Sequence, residues 1–198
     1  MALASTVGLS GVAAAKSKNS NGFDPDKQSE VNEFVRELHE AKKPKKRFKK
    51  LSEDQKQAVI DVLTDITWKY ESNISMKSQS SAQSGWKHKP TVKTTAYGDT
   101  AASTREYSFT QELTWEYNGD TYRNVEQDYD YSLGGVFADW DGIKKKTTDE
   151  SSDRFFTAEI QGKFSLDVGV DIKNVVATIE SRGNASGVHT VLEKDAPA

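Results

Sequence analysis

The sequence predicts a mainly β protein of the α+β class, in which a small N-terminal helical segment precedes an antiparallel β-sandwich or open barrel. Apolar and polar residues alternate from residue 156 to residue 172, and two shorter alternating runs flank the turn-forming sequence Asn118-Gly119-Asp120. Helical periodicity is confined to residues 23–65. We therefore divide the chain into residues 1–22, a helical segment at 23–65, and a β domain at 66–198 that contains a Ser-rich loop at 77–90.

Composition limits the chemistry that this chain can perform. It has 198 residues, a formal net charge of −3 and 35% hydrophobic residues, so the length fits one or two domains and the core is expected to be thin. It has no cysteine, which excludes disulfides, thiolate zinc sites, iron–sulfur clusters and cysteine nucleophiles. The sequence holds no run of 18 apolar residues, so it predicts no membrane-spanning helix.

The N-terminus has features of an export signal. Residues 2–15 are small and apolar, end in Ala13-Ala14-Ala15, and are followed by a polar stretch that begins at Lys16. This pattern resembles the end of twin-arginine export signals, particularly those of exported proteins from salt-loving archaea. The resemblance implies a secreted or extracellular protein. Because no basic residue precedes the apolar run, we expect the true start to lie upstream of Met1 and residues 1–22 to be a truncated signal remnant with a disordered start.

Two helices are predicted in the helical segment. Asp24 as N-cap and Pro25 at the first helical position indicate a helix to about Lys42. Ser52 and Gln55 form a capping-box pattern that starts a second helix at residues 53–65. Apolar residues alternate after that point, which predicts a strand from Ile66 onward, although continuation of the helix through Tyr70 is an alternative.

A basic run lies between these helices. Seven of the nine residues from 42 to 50 are basic: Lys42, Lys43, Lys45, Lys46, Arg47, Lys49 and Lys50. Such a run can bind phosphate backbones or anionic headgroups. Since only Phe48 interrupts it and no aromatic platform accompanies it, we expect a solvated connector that contacts the acidic part of the same protein, and nucleic-acid binding is not favoured. Pro44 is expected to prevent a continuous helix here.

The parity of the apolar residues predicts the register of the hairpin around Asn118-Gly119-Asp120. Apolar residues are odd-numbered on both strands, so a three-residue loop would pair residues whose numbers sum to 238. This register places Leu113 opposite Val125, Phe109 opposite Tyr129 and Gln111 opposite Gln127. The glutamines would then form an amide pair or line a polar cavity, and we favour the amide pair.

The same register predicts an acidic face on the other side of the hairpin. Its carboxylates are those of Glu106, Glu112, Glu116, Glu126, Asp128 and Asp130. Because like charges across a ladder repel, this face requires screening by solvent, a calcium ion, the basic run or a basic partner. Nearby, Asp139-Trp140-Asp141-Gly142 resembles a fragment of a calcium loop, so Asp139 and Asp141 are candidate metal ligands. We otherwise expect no cofactor.

The alternating run at residues 156–172 is too long for one ordinary strand. At about 3.3 Å per residue it would extend for about 60 Å, so the run must bend or break. Gly162 and Gly169 are the expected corner positions. Residues 183–187 predict a turn and residues 188–192 a last strand.

No catalytic motif emerges from the sequence. The three histidines, His39, His88 and His189, are far apart, and no nucleophile elbow, phosphate-binding loop or dinucleotide fingerprint is present. A two-carboxylate glycosidase is the enzyme class that composition leaves open. Tyr122 and Trp140 are candidates for a sugar-binding platform near the turn end. The sequons at Asn73 and Asn184 are candidate glycosylation sites, with Asn184 expected to be the more exposed.

These observations predict an exported, non-enzymatic β-sandwich that acts as an extracellular or cell-surface interaction module for an unknown protein or glycan. The first alternative is a secreted carbohydrate-binding or carbohydrate-active protein. The second is a nucleic-acid or anionic-surface binder that acts through the basic run.

Overall fold

A computed structural model describes residues 22–74, 85–167 and 172–192. In these ranges the chain forms three helices followed by nine strands. The helices are α1 (Gln28–Glu40), α2 (Pro44–Phe48) and α3 (Glu53–Thr64), and the strands are β1 (Ile66–Ile74), β2 (Lys87–His88), β3 (Val92–Thr100), β4 (Arg105–Tyr117), β5 (Tyr122–Leu133), β6 (Ala138–Asp149), β7 (Phe155–Asp167), β8 (Ile172–Asn184) and β9 (His189–Leu192). The predicted signal remnant and Gly169 lie outside the described residues, as does most of the Ser-rich loop, whose later part contains β2.

The described strands form two antiparallel sheets that pack face to face. In the first sheet β1, β3, β4 and β5 are neighbours in that order, and β2 pairs with β4 just beyond the end of β3; in the second the order is β6, β7, β8, β9. Alternate residues of β3, β4 and β7 are buried between the sheets, as the two-residue period requires. The mainly β fold with a small helical segment is confirmed, and its arrangement is that of a sandwich.

The helical segment covers one end of the sandwich. The buried faces of α1 and α3 form a single apolar cluster with Ala102, Phe137 and Leu166 of the β domain. The rings of Phe48 and Phe137 meet edge to face with centroids 5.3 Å apart, and Arg36 donates a hydrogen bond to the carbonyl of Ala102 at 2.9 Å. The helices and the sandwich therefore share a core.

The two predicted helix starts have different outcomes. The capping box of Ser52 and Gln55 is present and starts α3. The predicted start of α1 at Asp24 is wrong: residues 24–27 form a turn in which Lys27 donates to the carbonyl of Asp24, and the helix begins at Gln28. The Asp24 carboxylate accepts the N–H of Asp26 inside this turn instead of capping the helix. After α3 the strand prediction is confirmed from Ile66, and helix continuation is wrong.

The predicted hairpin register is wrong by two residues, although the predicted parity is correct. Phe109 lies opposite Tyr131, and Leu113 lies opposite Gln127. The loop has four residues, because Tyr117 pairs with Tyr122, and β5 contains an extra residue in a bulge that includes Asn124, whose φ is 52°. Each feature adds one residue, so beyond the bulge the apolar residues stay on one face while every partner shifts by two.

The predicted amide pair of Gln111 and Gln127 is also wrong. Gln111 lies opposite Tyr129 and its side-chain amide donates to the carbonyl of Ala158 on β7 at 3.1 Å. This hydrogen bond joins the two sheets through a fully buried side chain.

Gly162 is not a corner. It lies in the middle of β7, opposite Ile143 and Ala177. A Cβ at this position would lie 2.8 Å from the ring of Phe109 and 2.9 Å from that of Trp140. The glycine therefore permits two large aromatic side chains to approach the strand. β7 ends at Asp167, and the antiparallel strand β8 begins at Ile172.

Candidate functional site

The largest group of exposed apolar side chains on the sandwich lies where β5 and β6 meet. Tyr129, Tyr131 and Leu133 are 38%, 40% and 38% exposed, and Trp140 beside them is half-buried. In the described part of the chain β5 pairs only with β4 and β6 only with β7, so each is the outer strand of its sheet. We call these four residues the edge aromatic surface.

The rings of this surface are held from below by the core. Tyr131 stacks on Trp140 with centroids 4.3 Å apart and an interplanar angle of 14°. Trp140 in turn packs edge to face on the buried Phe164 at 4.9 Å and lies 5.7 Å from Phe109. Within the described residues neither tyrosine hydroxyl of the surface has a hydrogen-bond partner. A fixed ring with a free hydroxyl suits recognition by stacking and hydrogen bonding.

Two carboxylates border the rings and cap the outer edge of β5. Asp128 accepts the N–H of Tyr129 at 2.9 Å, and Asp130 accepts the N–H of Tyr131 at 2.8 Å. Alternate N–H groups of an outer strand point away from its partner strand and are open to pairing with another chain. With these two groups occupied, the edge is better suited to binding through side chains than to strand addition.

The acidic face of the hairpin is compensated by cations of its own sheet. Glu112 lies opposite Asp128, not Glu126, and its carboxylate contacts Lys93 of β3. Arg123 of β5 pairs with Glu116 at 2.6 Å. The repulsion between the carboxylates of this face is therefore reduced by cations of the same sheet.

Glu106 does not belong to this face. A bulge in β4 opposite Gly98 and Asp99 breaks the alternation at Glu106 and turns its side chain to the interior. The side chain has no exposed surface, whereas that of His39 on α1 is 16% exposed.

The buried carboxylate of Glu106 connects the helical segment to the sandwich. Its Oε1 contacts Nε2 of His39 and accepts a hydrogen bond from Thr104 at 3.3 Å, while Oε2 has no partner among the described residues. Only a glycine fits at position 135, because a Cβ there would lie 1.6 Å from Oε2. Sequence reasoning missed this contact because it depends on a bulge that leaves no local sequence pattern.

The predicted sugar platform of Tyr122 and Trp140 is not formed. Tyr122 packs on Phe156, whereas Trp140 packs on Phe164, eight residues along β7, a separation of about 26 Å at 3.3 Å per residue. Tyr122 is 9% exposed and donates its hydroxyl to the carbonyl of Ser152 at 2.8 Å. Burial, followed by the nearby carboxylates of the β6–β7 loop, raises the pKa of Tyr122. Tyr122 is thus a packing residue. The tyrosine that stacks on Trp140 is Tyr131.

The candidate metal ligands lie on a strand and not in a loop. Asp139 and Asp141 flank Trp140 on β6. Asp141 accepts a hydrogen bond from Ser165 at 3.0 Å and pairs with Lys163 at 3.2 Å. In the described ranges no three His, Cys, Asp or Glu side chains are grouped to hold a metal ion. Calcium binding stays a prediction that rests on these two carboxylates.

The basic run forms a short helix with exposed flanks. The expectation that Pro44 prevents a continuous helix is confirmed, because α1 ends at Glu40 and Pro44 occupies the first position of the separate five-residue helix α2. All seven basic side chains are exposed and Phe48 is buried. Arg47 pairs with Glu37 of α1 at 2.6 Å and lies 5.1 Å from the ring centroid of Phe34, so it contacts the helical segment and not the acidic part of the β domain.

The two sequons differ from expectation in exposure. Asn73 on β1 is exposed, whereas Asn184 is half-buried and its Oδ1 accepts the N–H groups of Ser186 and Val188, each at 2.9 Å. The prediction that Asn184 is the more exposed is wrong, because its side chain closes the β8–β9 turn.

Comparison of the chain with protein-family models, with curated proteins and with solved structures finds no match. None of the described helices is long and apolar enough to cross a membrane.

Proposed function

We propose that this protein is an exported, non-enzymatic binding module that acts at the cell surface or outside the cell and takes its partner on the edge aromatic surface. The observation that carries the proposal is the exposure of three large side chains on one strand end, beside a Trp ring that the core holds in place. Exposed aromatic residues on a rigid support are typical of binding surfaces.

The surroundings of these rings favour binding over catalysis. Asp128 and Asp130 are engaged by backbone N–H groups, and Asp141 is paired with Lys163. Carboxylate oxygens that are already engaged in such contacts suit hydrogen bonding to a ligand better than proton transfer to it.

Export rests on the pattern of residues 2–15 and is tested by N-terminal sequencing of the protein from the medium and from cells of the native host. We expect a mature chain that begins near Lys16 outside the cell. An unprocessed chain found only inside cells would contradict the export part of the proposal and leave the binding surface to be tested separately.

The binding surface is tested by pelleting the purified protein with the cell-envelope fraction of the host at high salt, which screens charge-dependent attachment to lipid headgroups. Replacing Tyr129 and Tyr131 by Ala should weaken the association at least about tenfold, because aromatic residues supply most of the energy of such contacts. Val188→Ala is the matched control, since Val188 is 54% exposed but lies at the β8–β9 turn. Equal pelleting of all three proteins would contradict this use of the surface.

A glycan is a second candidate partner. The stack of Tyr131 on Trp140 is the observation that favours it. A flat exposed ring bordered by carboxylate oxygens can stack on a sugar ring and accept its hydroxyl hydrogen bonds. A glycan array with the native protein and Tyr131→Ala tests this. Tyr131→Ala is preferable to Trp140→Ala because Trp140 also packs on Phe164 and Phe109, so its loss would disturb the core.

A further inference from the structure

We propose that the basic run is a second binding site, independent of the edge aromatic surface, and that it attaches the protein to anionic lipid bilayers through their phosphate headgroups. We call it the basic surface; it consists of Lys42, Lys43, Lys45, Lys46, Arg47, Lys49 and Lys50.

The fold presents these cations in a fixed arrangement. Phe48 is 2% exposed and packs on Phe137, so α2 is anchored to the sandwich by the one apolar side chain of the run. Its burial leaves the basic residues on either side of it exposed. The charges are therefore displayed before any ligand is present, and binding does not have to order them.

Five of the seven cations have no ion-pair partner in the described part of the chain. Lys42, Lys43, Lys45, Lys46 and Lys49 have no carboxylate within 4.0 Å there, whereas Arg47 is paired with Glu37. The net charge of the whole chain is −3, but charges more than about 10 Å away are screened at 0.1 M salt. An anionic surface in contact with this site would thus interact mainly with its local positive charge.

The composition of the site favours a bilayer over a nucleic acid. Six of its seven cations are lysines, which act as point charges, and its single arginine is already engaged by Glu37 and Phe34. Its one aromatic ring is buried, so it offers no stacking platform for bases. A five-residue helix is also short for reading a groove. Attraction to a surface of dispersed phosphate charge requires none of these features.

Sedimentation with lipid vesicles tests the proposal. Phosphatidylcholine vesicles with and without phosphatidylglycerol are mixed with the full chain at low and at high salt. We expect binding only to the phosphatidylglycerol vesicles, lost at high salt. Each lysine near an anionic surface contributes about a fivefold increase in affinity, so Lys45→Glu with Lys46→Glu should reduce binding by at least about thirtyfold.

The control variant carries the same change in charge elsewhere. Lys144 and Lys146 are exposed on β6 and, within the described chain, have no carboxylate partner; replacing both by Glu should leave vesicle binding within about twofold of the native protein. Equal losses in the two variants, or no binding to anionic vesicles at low salt, would overturn the proposal.

A competition separates the bilayer from nucleic acid. A DNA duplex is added to the vesicle-bound protein at an equal concentration of phosphate. Retention on the vesicles is expected, and transfer of the protein to the DNA would overturn the assignment in favour of a nucleic-acid site. Neither result depends on the edge aromatic surface. The variant that carries both Tyr129→Ala and Tyr131→Ala tests this independence, and we expect it to bind vesicles as the native protein does.

Discussion

Glu106 is a carboxylate whose side chain has no exposed surface, and His39 is the ionisable group that meets it. Burying a carboxyl group is costly unless it is hydrogen-bonded, because water no longer solvates it. Here the carboxyl group comes from the sandwich and its partner from the helical segment, so the contact stabilises the joined form of the two parts. The bulge in β4 makes this contact possible, since it turns the Glu106 side chain from the solvent-exposed face of the sheet to the interior.

Replacing His39 by Leu should therefore destabilise the protein by about 3 kcal/mol, because a buried carboxylate would lose its partner. Replacing Glu106 by Leu in the same protein should restore most of this loss, since exchanging both partners of a buried polar contact for apolar side chains is often nearly neutral in stability. Urea unfolding of the native, single and double variants measures both effects. Additive losses in the double variant would contradict the pairing.

His189 on β9 is a half-buried titratable group whose Nε2 atom is buried without a hydrogen-bond partner among the described residues. Burial, with a smaller contribution from Lys89, lowers its pKa to about 4. Its folded pKa is thus below the unfolded value of about 6.5, so the stabilising effect is complete above pH 6.5 and is lost as the pH falls toward 4. By pH 5 the native protein should lose about 2 kcal/mol relative to pH 7 through this group.

The measurement compares urea unfolding at pH 7 and pH 5 for the native protein and for His189→Leu. The variant lacks the titrating group, so its loss of stability over this range should be smaller by about the same 2 kcal/mol. Parallel pH dependence in both proteins would show that His189 is protonated equally in the folded and unfolded chains.

At the scale of elements, most local sequence signals predict the structure correctly, with the start of α1 as the exception, whereas features that depend on distant residues are not predicted. The capping box of α3 and the alternation that forms β7 involve neighbouring residues, and both were predicted. The hairpin register, the inward turn of Glu106 and the role of Gly162 depend on bulges and on packing between sheets. These features are decided by contacts between distant residues, so one sequence gives no direct signal for them.

The candidate site shows the same division. Trp140 was recognised by residue type, but its neighbours Tyr129 and Tyr131 were assigned to the buried face because they share the parity of Phe109. They are exposed because β5 is an outer strand facing the outer strand of the other sheet. Here the strand order decides whether a tyrosine is buried or exposed, and the sequence alone does not provide the strand order.

The outer edge of β5 yields a prediction about association. Removing the Asp128 and Asp130 carboxylates by substitution with Ala frees two backbone N–H groups beside exposed tyrosines. Unpaired outer strands with apolar side chains favour pairing between chains. We expect concentration-dependent self-association in sedimentation velocity.

The matched control for this variant is Glu33→Ala with Glu40→Ala. Both glutamates are exposed on α1, and their removal changes the net charge by the same amount. Self-association of the control to the same degree would attribute the effect to net charge and not to the edge of β5.

At the scale of the whole molecule, the helices and the sandwich unfold together or separately according to how much core they share. The sequence alone suggested two regions, residues 23–65 and 66–198. The structure joins them through an apolar cluster, the hydrogen bond from Arg36 to Ala102 and the contact of His39 with Glu106. Neither part buries its apolar surface fully without the other, which is the condition for a single cooperative transition.

The distribution of tryptophan allows this cooperativity to be measured directly. Trp68, Trp86, Trp115 and Trp140 all lie in the β domain, so fluorescence reports unfolding of the sandwich, whereas ellipticity near 222 nm is dominated by the helices. We expect the two signals to change with the same midpoint and slope in urea. The His39→Leu variant should move both midpoints together, because the contact it breaks belongs to the shared interface. If the helical signal were lost first while fluorescence stayed native, the helical segment would be a separately folding cover on an independent sandwich.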